Sequence, residues 1–256
     1  MKIHFQHLRD TPNVGDRSCS PYDYFDWGDA TVSDLRKDDT PSYDIGIYGG
    51  GQVFGGLSRY AGVMREQSAL NIAWGVGTNQ TFPISPRHMR SKRKMDIIGS
   101  RDYGDNRYTY APCPSCMSPL FDKVTEPTHE VVFYSHAGKS PKMKLQVPDH
   151  IPVKDNLCGS LDEALSFIAS GQTVVSNSYH GVYWALLMGR KTICVPFSNK
   201  FKGYRLAPHF ASPSNWFDEL DNGKSYPEML EMMRGATLSF KSKVDEAIAE
   251  KRKSMR

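Results

Sequence analysis

Residues 173–196, TVVSNSYHGVYWALLMGRKTICVP, limit the folds open to this chain more than any other stretch. An apolar run, Thr173 to Val175, ends in small polar residues. A histidine and a helix-like segment follow, and a second apolar run, Thr192 to Val195, closes on Pro196. The pattern reads as strand, tight turn, helix, strand, the unit from which parallel sheets are built. It places His180 at the carboxyl end of a parallel strand and beside a helix amino terminus. Open α/β sheets bind ligands at that edge, and helix amino termini favour anions. Of the eight histidines, His180 has the best local reason to be chemical.

The same alternation runs through the chain. Strands are expected at Lys2 to Leu8, Asp44 to Tyr48, Asn71 to Trp74, Met95 to Gly99 and Glu130 to Ser135. Helices are expected at about Leu57 to Ala69, at Leu161 to Ala169 and from Tyr226 to about Lys251. Ser160 is a candidate cap for the second of these, with Glu163 in capping-box position. Ser20 to Asp44 gives no clean period. Such alternation predicts an α/β fold with parallel sheets. The broken stretch from 112 to 129 suggests two Rossmann-like lobes facing each other across a cleft. The expected division is 1–125 and 126–225, with a C-terminal helix at 226–256.

At 256 residues and 39% hydrophobic content the chain can bury a real core, and its net charge is only +4. That balance gives no reason to expect a nucleic-acid partner and suits anionic small molecules or peripheral contact with an acidic membrane surface. No apolar run approaches the roughly 18 residues of a spanning helix. The opening MKIHFQHLRD is shorter and more polar than a secretory leader. A soluble, cytoplasmic protein is expected. The five scattered cysteines fit reduced thiols.

Several strand ends carry polar or flexible residues. Gly49, Gly50 and Gly51 let backbone amides approach a phosphate or sugar, or simply make a turn. Gly77 and Thr78 read as ligand contacts or as caps of the next segment. Gly15 and Asp16 follow the first strand, and Asp16 reads as a base or hydroxyl ligand, or as a turn residue. Arg101 reads as a guanidinium for phosphate or carboxylate, or as half of an internal ion pair. Asn177 and Ser178 flank the opening turn, and Lys200 follows the next strand as an anion partner or a surface lysine. Cys113 and Cys116 have the spacing of a metal pair, but a structural zinc needs four ligands. His129 and His136 do not complete a standard spacing, so no metal site is expected. The basic cluster at 87–94 reads as a solvated face.

These pieces, in this order, resemble the polysaccharide pyruvyl transferase family. The matching stretches are NVGD, IGIYGGG, AWGVG, GSRD, APCPSCMSPLFD and VVSNSYHGVYWALLMGRKTICVPFSNKF, over roughly residues 3–205. The resemblance implies two lobes similar to GT-B-type glycosyltransferases. It also implies transfer of pyruvate from phosphoenolpyruvate to sugar hydroxyls as a cyclic ketal, in cell-surface or exopolysaccharide synthesis. The partners it implies are phosphoenolpyruvate and a saccharide acceptor, free or lipid-linked, with no cofactor and no metal. His180 and Asp16 are then the candidate catalytic residues. Gly15, Gly50, Gly51, Gly77, Thr78, Arg101, Asn177, Ser178 and Lys200 are the candidate binding residues. Ser178 stands where many members carry an arginine, and Arg190 and Arg205 lie nearby in sequence as candidates to supply that charge. Two other readings of the same residues are a glycosyltransferase using a nucleotide sugar and a non-catalytic carbohydrate-binding relative.

Overall fold

The computed structural model describes residues 1–37, 42–57, 59, 70–78 and 85–254. It contains two parallel sheets, one in each of two units. Unit 1 comprises Met1–Thr11, Asp16–Met117 and Arg234–Arg256, and unit 2 comprises Pro12–Gly15 and Ser118–Met233. Each is an α/β, Rossmann-like unit, so the chain has the two parallel-sheet units that a GT-B-type reading requires.

Unit 1 holds β1 (Ile3–His7), β2 (Thr31–Asp34), β3 (Ile45–Gly51), β4 (Leu70–Val76), β5 (Ile97–Ser100) and β6 (Thr109–Tyr110). Their order across the sheet is β2-β1-β3-β4-β5-β6. Strands β3 and β4 are buried along their whole length, which is why their sequences run apolar without alternation. One face packs Phe5, Ile47, Ile72 and Trp74 against Phe240, Val244 and Ile248. Those last three recur every four residues along the helix Met229–Ser254, the stripe of an amphipathic helix. The other face carries Tyr48, Ala73, Val76, Phe54 and Leu57.

Unit 2 holds β7 (His129–Ser135), β8 (Val153–Asp155), β9 (Gly171–Ser176), β10 (Lys191–Cys194) and β11 (His209–Phe210). The order is β11-β10-β9-β7-β8. Phe133, Val175, Ile193 and Trp216 form the core on one face. The helix Leu161–Ala169 is capped as expected, with the Ser160 hydroxyl accepting from the Glu163 amide at 3.1 Å. The Glu163 carboxylate reaches back to the amide of Gly159 rather than that of Ser160.

Two expectations about organisation differ from the structure. The unit boundary falls at Met117/Ser118, ahead of 125/126, and the C-terminal helix is not a unit by itself. The reason is its apolar stripe, because residues 240–248 complete the core under the unit 1 sheet. The segment without clean period contains β2, a short edge strand whose exposed and half-buried residues show no apolar pattern. Most of the helix expected at Leu57 to Ala69 lies outside the described residues.

Candidate functional site

In both sheets the strand order reverses once, and the crevice outside the carboxyl ends at such a point is where open α/β sheets take ligands. In unit 1 the reversal lies between β1 and β3, and in unit 2 between β7 and β9. The residues singled out in the sequence divide between these two edges.

At the unit 2 edge, β9 ends at Ser176, and Asn177-Ser178 lead into the nine-residue helix Tyr179–Leu187. Ser178 is the N-cap residue but makes no side-chain cap bond. The turn is held from below. Ser176 Oγ donates to the Tyr134 carbonyl at 2.6 Å and accepts from the Ser178 amide at 3.0 Å. Close packing demands Gly181, where a Cβ would lie 2.4 Å from the Tyr134 ring. His180 therefore sits in the first turn of a helix pinned to the sheet. Its ring lies 5.3 Å from that of Trp184.

Gly15 belongs to the same unit, and a Cβ there would come within 2.1 Å of His180 Nδ1. The Val14 amide donates to the Asn156 carbonyl at 3.0 Å, fixing this segment against unit 2. The NVGD stretch thus has a structural reason for its glycine: the backbone of residue 15 covers the imidazole.

Asn177 is a tie. Its Oδ1 accepts the His136 amide at 2.7 Å, and its Nδ2 donates to Ser140 Oγ at 2.9 Å. Lys200, in the turn after β10, lies 4.4 Å from the centroid of the Phe197 ring and 5.0 Å from that of Phe201. Arg190 does not supply the charge that Ser178 lacks. Its guanidinium donates to the carbonyls of Thr125 and Ala169, at the entry to β9 and so at the opposite edge of the sheet. Arg205 is exposed.

At the unit 1 edge, β3 runs through its glycines instead of stopping before them. Gly50 donates its amide to the Cys19 carbonyl at 3.2 Å, so that amide serves the fold. Gly51 has a φ of 75°, the left-handed region that favours glycine. Asp16 Oδ1 lies 3.3 Å from where a Cβ on Gly51 would stand, which brings the carboxylate to the β1/β3 switch point. Gly77 is required by Gln52 and Arg101, whose Oε1 and Nε would lie 2.3 and 3.1 Å from a Cβ there. Arg101 is buried under this edge, its Nη2 3.4 Å from Gln52 Oε1.

Thr78 is absorbed into the structure. Its amide donates to Asp102 Oδ2 at 2.7 Å, and its hydroxyl lies 2.9 and 2.7 Å from carboxylate oxygens of Asp102 and Asp105. Burial raises the Asp105 pKa, but hydrogen bonds from Arg107 and Thr78 outweigh it and hold that carboxyl below its ordinary range. Cys113 and Cys116 are buried and not disulfide-bonded, Cys116 on the 3-10 turn Pro114–Met117 and Cys113 just before it. Among the described residues no group of three or more His, Cys, Asp or Glu could hold a metal ion.

No family profile and no curated protein matches the chain. Among solved structures it is similar to a protein described as a UDP-N-acetylglucosamine 2-epimerase from Listeria monocytogenes. The TM-score is 0.47 at 9% identity, over 93% of this chain and 89% of the other. The resemblance to pyruvyl transferases therefore stands on its motif residues alone.

Two further histidines stand at these edges, His7, which the sequence did not single out, and His136, which it offered only as a metal ligand. His7, the last residue of β1, is buried and its pKa falls to about 4, chiefly through burial and then the charge of Arg9. His136 is the first residue after β7. Its pKa is lowered by burial, then by the charges of Lys200 and Lys139. Both could have been found by the rule that singled out His180, a histidine at the end of an apolar strand. No helix of the described residues is long and apolar enough to cross a membrane.

Proposed function

We propose that the chain is a transferase that holds a phosphorylated donor at the carboxyl edge of unit 2 and passes the donor's carbon group to a saccharide hydroxyl. One observation carries this reading: His180 stands in the first turn of a pinned helix, at a parallel-strand exit, with the bare backbone of Gly15 over its ring. Such a place offers an anion the positive end of a helix and offers a reacting group an acid/base. The edge of unit 1, with Asp16, Gly51 and Arg101, is assigned hydroxyl and anion contacts of its own.

For the donor, the motif resemblance favours phosphoenolpyruvate. A proton delivered to its methylene carbon generates an oxocarbenium-like centre, which a sugar hydroxyl attacks as it gives up its proton. The C–O bond to phosphorus then breaks with its electron pair leaving on phosphate. A second hydroxyl closes the ketal and releases the second proton. His180 is assigned the acid/base role in this sequence. A nucleoside diphosphate sugar is the second reading, favoured by Ser178. That buried residue brings no cation for a donor carboxylate, whereas a diphosphate can be met by helix amides and Lys200.

Thermal shifts with phosphoenolpyruvate and with uridine diphosphate separate the two donors. A ligand at a hundredfold its Kd adds about 2.7 kcal/mol, or about 5 to 10 °C for a chain of this size. With the donor identified, His180→Ala should lower turnover about 10²- to 10⁴-fold. Full turnover in that variant, or stabilisation by neither donor, would sink the proposal.

A further inference from the structure

The unit 2 switch point gathers three basic side chains around one aromatic ring. His136 follows β7 directly, Asn177 follows β9, and Phe197 lies three residues beyond the end of β10. The His136 ring meets Phe197 edge-on at 5.5 Å. Lys139 Nζ and Lys200 Nζ lie 5.5 and 4.4 Å from the same ring's centroid. The loop that carries His136 and Lys139 is anchored at both ends by Asn177, through the His136 amide and Ser140 Oγ. His136 Nδ1 is buried without a hydrogen-bond partner of good geometry among the described residues.

We propose that His136, Lys139 and Lys200 form a subsite for a doubly charged oxyanion, and that it receives the phosphate of the donor. The inference rests on the transferase reading of this edge and names the group that the edge takes. Three donors from two separate loops can each address a different oxygen of a tetrahedral dianion, and bonds from charged donors to such oxygens are the stronger kind. Like charges are drawn together here. The two ammonium groups both act against protonation of the imidazole, and the acid that acts on it, Asp155 at the end of β8, does so least. A bound dianion reverses that balance and draws a proton onto His136. Lys139 and Lys200 hold the anion at neutral pH, and His136 strengthens the hold as pH falls.

Sulfate tests this directly, because it stays a dianion throughout the window. Its affinity, measured by calorimetry on the whole chain, should rise several-fold between about pH 7.5 and about pH 5.5. The His136 ring signals in NMR should titrate at higher pH with sulfate present than without. His136→Gln should abolish the rise. Lys139→Met with Lys200→Met should weaken binding about tenfold or more throughout, as expected when charge-assisted bonds are lost. Lys139 is exposed, so its single variant is a second check that the fold persists. An unchanged pH dependence in His136→Gln overturns the proposal, as does wild-type affinity in the double lysine variant. If these sulfate results hold while neither donor binds, the transferase reading falls and the oxyanion subsite stands. If a donor stabilises the protein but the sulfate variants behave as wild type, the subsite alone falls.

Discussion

Gly15 has a consequence out of proportion to its size. A methyl group there would stand 2.1 Å from His180 Nδ1, well inside contact distance, so the ring or the Pro12–Gly15 segment must shift. Displacing a reacting group by about 1 Å costs about a hundredfold in rate. Gly15→Ala should therefore lower turnover by about that factor and move the His180 ring signals in NMR. A variant with wild-type kcat and displaced ring signals would separate His180 from the chemistry. At this scale the sequence was informative where the rule was local. His180 and Asn177 were legible because an apolar run ends just before them. His136 obeys the same rule but was weighed only as a metal ligand, since its neighbours Lys139, Phe197 and Lys200 meet only through the pairing of β7, β9 and β10. The partners of Thr78 and Gly50, the Asp102 carboxylate just after β5 and the Cys19 carbonyl, lie far away in sequence and cannot be seen there.

At the scale of the elements, β2 ends on a buried charge that ties it to the segments beside it. Asp34 ends the strand, and its buried carboxylate accepts from the amides of Arg9, Asp10 and Arg36 and from the Arg36 guanidinium at 2.7–3.0 Å. Burial alone would raise its pKa, but the hydrogen bonds from Arg36 and the backbone amides win and hold it far below the carboxylate range. A depressed folded-state pKa means stability that is present above the unfolded value near 4 and lost as pH falls. Asp34→Asn should cost about 1–3 kcal/mol at pH 7 in urea unfolding. The gap from wild type should close as pH drops below about 4. A gap of constant size would show that the carboxylate's charge is not what holds β2. This strand was invisible in the sequence because an edge strand buried at one end needs no apolar run. By contrast β3, β4 and β9 were legible because both their faces are covered.

On the scale of the molecule, the C-terminal helix is structural for the N-terminal sheet. Phe240 meets Trp74 at 4.8 Å edge-to-face, and Gly99 is bare because the Phe240 ring occupies the place of its side chain. Phe240→Ala should destabilise unit 1 by about 3–5 kcal/mol, read as a lower urea midpoint with the Trp74 fluorescence change. A loss under about 1 kcal/mol would mean that the sheet core closes without the helix. The amphipathic pattern of this helix was plain in the sequence, but its destination was not, because a 3.6-residue period shows a buried face without showing what covers it.

Unit 1 is thus stitched from the two ends of the chain. On the ribosome, its sheet emerges long before the side chains that seal it. At about 5–20 residues per second, the roughly 120 residues from Met117 to Phe240 take about 6 to 25 s to make. Throughout that interval the apolar face of β1, β3 and β4 lacks Phe240, Val244 and Ile248 and is covered only in part, by the Tyr22, Phe25 and Trp27 rings, whereas unit 2 is spelled out almost entirely in one continuous stretch. The nascent chain therefore presents the part-covered face of this sheet to chaperones until the helix that seals it has been made.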